Sequence, residues 1–281
     1  MALYRDMDRA ALDAAYNNRN AVPDYPAIVA ERKERSDRVR RTWRFHADLR
    51  YGASARERLD FFPAEADHAP ILAFIHGGYW QSNDKEDSSF LVEGPFAHGI
   101  AVALIEYTLA PEAGIDRIVG EIGRALDWLA AHAAGLGGNP ARIFVSGHSA
   151  GGHLTAMMLD RPVVCGALAI SGLFDLEPIR LNYLNEKLRL TEDSARRYSP
   201  CLQLRRPASS PPVHVAVGSN ELAELVRQSS DYAALRQSRG LPVEYLPLAG
   251  HDHFSILEEL ADARGKLCEA LVRMVRSRVS A

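Results

Sequence analysis

One stretch constrains this chain more than any other. Arg142-Ile143-Phe144-Val145, rich in β-favouring residues, runs into Ser146-Gly147-His148-Ser149-Ala150-Gly151-Gly152, and a helix-compatible segment, His153 to Leu159, follows. Gly-x-Ser-x-Gly alone is a weak signal, and a glycine-rich loop is the plain alternative. With a strand before it and a helix after it, the motif predicts a strained turn that lifts the serine hydroxyl off the end of a buried strand. The same turn puts Ser149 at a helix N-terminus, where free amides favour developing negative charge.

The rest of the composition is ordinary. The 281 residues fit one large α/β domain, with 47% hydrophobic and 25% charged residues. A net charge of −3 gives no reason to expect nucleic acid or an anionic membrane surface as partner. The basic run Glu31 to Arg41 is interleaved with acids and reads as a solvated helix face. Cys165, Cys201 and Cys268 are scattered and odd in number, which suggests a reducing compartment without disulfides or metal spacing. The first residues lack an apolar signal core, and no apolar run is long enough to span a bilayer. The expectation is a cytoplasmic protein with no membrane contact.

Hydrophobic periodicity orders the elements. Helices are predicted over Asp6–Tyr16 and from Tyr25 or Pro26 to about Arg38. Thr42–Arg50 and Arg56–Phe62 read as an antiparallel edge hairpin around Tyr51-Gly52-Ala53-Ser54. Buried strands follow at Ile71–Ile75, Ile100–Glu106, Arg142–Ser146, Gly166–Ile170, Val213–Val217 and Val243–Leu248. Helical spacing marks Ile115–His132, Leu222–Arg239 and a long last helix from Ile256 to about Arg276. Continuous apolar strands between helices predict a mostly parallel sheet covered on both faces, the α/β-hydrolase fold. The connection of about forty residues from 171 to 212 far exceeds the usual four to six or so. It carries a helix signal at Thr191, with Pro200 as stop, and reads as a small cap, against a surface excursion of no role.

A serine needs a base, an orienting acid and oxyanion donors, and in this fold the order is Ser, acid, His. After the last strand, Gly250-His251-Asp252-His253-Phe254 offers two histidines. His253 is selected by its spacing from the glycine and by the following Phe, with His251 as rival. After the preceding strand, Gly218-Ser219-Asn220-Glu221 makes Glu221 the leading acid; Asp175 and Glu224 stay as rivals. Ala150, and Gly77 and Gly78 in His76-Gly77-Gly78-Tyr79-Trp80, are the expected oxyanion amides. His76, His148 and His153 read as bracing or packing residues, and no zinc-ligand spacing is present. Tyr79, Trp80, Phe174 and Tyr183 are candidates for an aromatic substrate wall, with core or cap packing as the alternative.

With these pieces assembled, the chain resembles the kynurenine formamidase (arylformamidase) branch of the serine esterases, related to the hormone-sensitive-lipase-like enzymes. The resemblance runs from about Met7 to Leu260. It rests on His76 to Trp80, Gly147 to His153, Glu221 to Gln228 and Asp252-His253-Phe254. Tyr107-Thr108-Leu109-Ala110-Pro111-Glu112 looks like a segment of the wider superfamily, and Tyr16-Asn17-Asn18-Arg19 like one of bacterial relatives. The resemblance implies Ser149 as nucleophile, Glu221 as acid, His253 as base and Gly77, Gly78 and Ala150 as oxyanion donors. The sequence departs from the pattern in two places. A third glycine is missing after Gly78, and the acid is glutamate where the animal enzymes have aspartate.

The expectation is therefore a cofactor-free serine hydrolase acting on small esters or aryl formamides through an acyl-serine. An acyltransferase or peptidase on the same fold, and a catalytically dead binding protein, are the other classes. A homodimer stays open.

Overall fold

The computed structural model describes residues 2–204 and 210–277. Eight strands form one sheet: β1 (His46–Arg50), β2 (Arg58–Phe62), β3 (Ala69–Ile75), β4 (Ala101–Ile105), β5 (Gly138–His148), β6 (Val164–Ile170), β7 (Val213–Gly218) and β8 (Val243–Leu248). Their order across the sheet is β1-β2-β4-β3-β5-β6-β7-β8. The pairs β1–β2 and β2–β4 are antiparallel, and all pairs from β4 onward are parallel.

The central strands are apolar throughout because both of their faces are covered. On β3, Ile71, Ala73 and Ile75 face a core shared with Ile118, Ile122 and Leu126 of the helix Ile115–His132. Leu72 and Phe74, one residue out of phase, face the opposite core with Phe90, Leu271 and Met274. This period-two alternation between two buried layers is what a doubly covered parallel sheet requires.

Three of the structure's departures from the predicted elements bear on how the chain packs around the sheet. The helix predicted to end near Arg38 runs Tyr25–Thr42, so β1 starts at His46 rather than Thr42. The extra turn is held by buried Val39 and by Arg40, whose Nη1 donates to Asp60 at 2.6 Å. The single last helix is broken into a short turn ending at Ala261 and a helix Lys266–Ser277. Asp262 is extended at the break, and its carboxylate accepts from the Arg264 amide at 2.9 Å, a local bond that competes with helix. A 3₁₀ helix, Lys85–Val92, was not predicted; its Phe90, Leu91 and Val92 are buried.

Between β6 and β7, the described residues form three short α-helices, Glu177–Arg180, Asn185–Leu188 and Glu192–Arg197, and a 3₁₀ turn, Pro200–Leu202. Thr191 caps the third α-helix, accepting from the Ser194 amide at 3.1 Å. Residues 205–209 of this predicted insertion lie outside the described residues. Among the described residues, no helix is long and apolar enough to cross a membrane.

Candidate active site

Ser149 stands between β5 and the helix Ala150–Met157 at φ 58° and ψ −117°. Its amide donates to the Ile170 carbonyl at 2.9 Å, tying the turn to the end of β6. The turn closes only because its neighbours lack side chains. A Cβ on Gly147 would lie 2.4 Å from the Gly151 carbonyl oxygen, and one on Gly151 would lie 2.0 Å from that of Ile75.

His253 follows β8, and its Nδ1 meets Glu221 Oε2 at 2.6 Å. Glu221 follows β7. Its other oxygen accepts from Ser171 Oγ at 2.5 Å and from the Gly218 amide at 2.7 Å. Three bonds therefore orient this buried carboxylate. With Nδ1 engaged by Glu221, the neutral imidazole carries its proton there and leaves Nε2 as acceptor. Ser149 and His253 line one cavity of about 500 Å³. Their side chains are not hydrogen-bonded to each other among the described residues, and such contacts often tighten only around substrate.

The rival residues are committed elsewhere. Asp175 accepts from Tyr4 Oη at 2.9 Å and from the Glu177 amide at 3.0 Å. Glu224 pairs with Arg227 and accepts from Tyr16 Oη at 3.1 Å. His251 pairs with Glu259 at 2.9 Å. His148, one residue before the serine, bonds through Nε2 to the His253 carbonyl at 2.7 Å, and the two rings lie 4.5 Å apart. Burial, reinforced by His253, holds the His148 imidazole well below its ordinary range, so it braces the His253 loop as a neutral ring.

The Gly77, Gly78 and Ala150 amides donate to no protein acceptor among the described residues, which leaves them free for an oxyanion. Gly77 packs close to Ser149: a Cβ there would lie 3.2 Å from the Ser149 Cβ. Gly78 sits at φ +103°. The loop is braced from beneath by His76, which bonds to the Gly77 carbonyl at 2.8 Å and to Glu106 at 3.0 Å and stacks on Tyr107. Burial opposes ionisation of Glu106, but His76 and Arg56 outweigh it and hold the carboxyl down at about 2. The Ala110 amide donates to the Trp80 carbonyl at 2.8 Å, so the Tyr107–Pro111 segment serves as a strut for this loop.

Two expected wall residues are corrected. Trp80 is fully buried in the core, edge-on to His153, and Phe174 is stacked on Tyr232 at 4.2 Å; neither lines the cavity. Both rings find more apolar contact inside than at a wet mouth. Tyr79 and Tyr183 do line it. Sequence reasoning passed over Ser171, whose one signal was its place at the carboxyl end of β6. It also missed the wall supplied by Asn18, Tyr25 and Arg32, which lie far along the chain from Ser149.

Comparison with known proteins agrees with this architecture. The BD-FAE family profile matches residues 59–160. The kynurenine formamidase of Danio rerio is 33% identical, with 89% of this chain and 88% of that protein aligned. That of Salmo salar is 32% identical over 98% and 99%. A crystal structure from Silicibacter sp. tm1040 superposes with a TM-score of 0.81 at 30% identity, covering 94% of this chain and 98% of the other. With this fold, and with relatives of that similarity along nearly its whole length, the chain is an α/β-hydrolase that belongs to the kynurenine formamidase family.

Proposed function

We propose that this hydrolase cleaves small aryl formamides through a formyl-serine, with Ser149 as nucleophile, His253 as base and Glu221 as the residue that orients it. The 2.6 Å bond between His253 Nδ1 and Glu221, with His253 lining one cavity together with Ser149, Gly77 and Gly78, carries the reading. His253 Nε2 takes the hydroxyl proton as Oγ attacks the formyl carbon. The amides of Gly77, Gly78 and Ala150 hold the oxyanion, and His253 then protonates the departing nitrogen as the C–N bond breaks. Water, deprotonated by His253, cleaves the formyl-serine and releases formate. The same steps hydrolyse an ester, with an alcohol leaving.

The aromatic lining from Tyr25, Tyr79, Phe90, Tyr183 and Phe254 suits an aryl substrate, and the names of the fish relatives support N-formylkynurenine. The described residues of the connection from 171 to 212 act in this reading as a cap. Tyr183, Leu184 and Lys187 line the cavity, and Gln81 ties the segment down by donating to the Leu184 carbonyl at 2.9 Å. Free thiols at Cys165, Cys201 and Cys268 fit a reducing, cytoplasmic setting, which cell fractionation would check.

The test is kcat/KM for N-formyl-L-kynurenine beside p-nitrophenyl acetate. The formamide is expected to be the better substrate, and Ser149→Ala is expected to lower kcat for both by about 10⁴- to 10⁶-fold. A formamide turned over no faster than the acetate ester would leave an esterase. Full activity in the alanine variant would remove Ser149 from the mechanism.

A further inference from the structure

His148 lines the cavity one residue before Ser149, and among the described residues only one of its ring nitrogens is engaged. Nε2 lies 2.7 Å from the His253 carbonyl, which can only accept, so the ring proton sits on Nε2. Burial first, then the nearby His253 and Arg32, keeps the imidazole from taking a second proton at neutral pH. Nδ1 is therefore a bare lone pair. It has no hydrogen-bond partner among the described residues, yet it is not sealed from solvent as the unpartnered Nδ1 atoms of His153 and His214 are.

The ring is held from several sides. Its bond to the His253 carbonyl fixes one end, and the His253 ring lies 4.5 Å away, tilted by 44°. The His148 backbone is in register with Ile170 of β6 at the end of β5. Nδ1 and the Ser149 Cβ lie 3.4 and 3.2 Å from a single point, the position that a Cβ on Gly77 would take. The lone pair is thus close at once to the serine, to the oxyanion loop and to the ring of the proposed base. Acylation of Ser149 by an ester or amide gives it no task.

We propose that His148 Nδ1 is a second acceptor for the water that cleaves the acyl-serine. Two acceptors fix the orientation of a water that one would leave free to rotate. One of its protons passes to His253 Nε2 as the water oxygen bonds to the acyl carbon and the carbonyl electron pair moves onto the oxyanion. The other proton stays on that oxygen, hydrogen-bonded to His148 Nδ1. When the carbonyl re-forms, the C–Oγ bond breaks, Ser149 Oγ takes the proton from His253, and the carboxylic acid leaves. Because His148 takes no proton, it does not compete with His253 as the base. The inference rests on the acyl-serine of the proposed function and not on the formamide.

Methanol tests it. It attacks the acyl-serine as water does, but once its single hydroxyl proton is directed to His253 it has none for Nδ1. With p-nitrophenyl acetate at a fixed low methanol concentration, the ratio of methyl acetate to acetate reports only events at the acyl-serine. His148→Gln keeps a donor near the Nε2 position, for the His253 carbonyl, and removes the Nδ1 acceptor. Its ratio is expected to rise about 3- to 10-fold, near the worth of one hydrogen bond. His148→Asn keeps an acceptor near the Nδ1 position and loses the Nε2 donor, so kcat should fall with the ratio within about twofold of wild type. An unchanged ratio in the glutamine variant, or a rise in the asparagine variant alone, overturns the proposal and leaves His148 a brace for its loop. Should the variants not fold, nitrogen NMR of the wild-type ring decides: Nδ1 is expected to be the unprotonated nitrogen at neutral pH, and a protonated Nδ1 overturns the proposal. Failure to hydrolyse N-formylkynurenine, with the ratio shifting as expected, would sink the formamidase reading and leave this one standing. Full activity of Ser149→Ala on p-nitrophenyl acetate would remove both.

Discussion

At Ser149 the backbone holds a positive φ that a residue with a side chain adopts only under constraint. The Ile170 carbonyl and the glycines around the turn supply that constraint. Beside it, Glu221 is fixed through both oxygens, and its bonds to His253 and to Ser171 are separable by mutation. Glu221→Gln keeps the shape but offers His253 the wrong partner, and is expected to cost about 10³- to 10⁴-fold in kcat with folding unchanged. Ser171→Ala removes one of three bonds and should cost only about 3- to 10-fold, near the worth of one hydrogen bond. Steady-state kinetics on the two variants would reveal a reversed order, which would mean that Ser171 contributes more than orientation.

A second prediction at residue scale concerns acid. His153 is fully buried, with one nitrogen on the Tyr198 carbonyl, and burial lowers its pKa from 6.5 to about 4. Below 6.5 the unfolded chain takes up a proton that the folded chain refuses. This contribution is therefore complete above 6.5 and is lost as the pH falls toward 4, by on the order of 3 kcal/mol. Glu106, whose folded pKa lies below its ordinary value, adds its own loss at lower pH, from 4.5 toward about 2. Urea unfolding across these windows should show the first slope flatten in His153→Gln. An unchanged slope would assign it to other groups.

At the scale of elements, the turn between β5 and its helix is a three-way contact of backbones. Gly151→Ala would drive a methyl to 2.0 Å from the Ile75 carbonyl oxygen, a collision with backbone rather than with a movable side chain. It is expected to destabilise by at least about 3 kcal/mol or to prevent folding. Gly120→Ala is the matched control. It lies in the helix Ile115–His132, where the nearest atom to its Cβ is 3.5 Å away, so it should be neutral or stabilising by up to about 1 kcal/mol. Thermal melts of the pair would decide, and equal midpoints would contradict the close-approach argument. Helix Ile115–His132 was predicted with its observed ends because its apolar stripe is strong and continuous. The last helix was not, because Glu258–Ala261 and Lys266–Ser277 share an apolar period that does not reveal the break between them. The long polar helix Tyr25–Thr42 owes its extent to partners elsewhere, Ser36 with Asp87 and Arg40 with Asp60, which no local pattern announces.

Across the whole molecule, the cavity is assembled from parts far apart in the chain. The N-terminal segment is pinned over the sheet by Tyr16, whose hydroxyl contacts Glu224 and Gln228 and whose carbonyl accepts from Tyr79 Oη at 2.7 Å. Asn18 Nδ2 completes the join by donating to the Tyr79 hydroxyl at 3.0 Å. Tyr79→Phe should therefore loosen a wall rather than the chemistry, raising KM by about 3- to 10-fold with kcat nearly kept. A fall in kcat at constant KM would place Tyr79 among the reacting groups instead.

The linear polymer by itself determined the strand–turn–helix at Ser149 and the parallel sheet, because each rests on short-range sterics or on hydrophobic period. It also narrowed the candidate base to His251 or His253 and the candidate acid to three carboxylates. Only the tertiary structure brought Glu221 rather than Asp175 or Glu224 to His253, and turned Trp80 and Phe174 inward. It also brought Arg32, from the N-terminal third of the chain, beside the Phe254 carbonyl. These outcomes depend on which groups meet across the fold once the sheet and its covering helices have packed, and a partner more than two hundred residues away leaves no trace in local spacing.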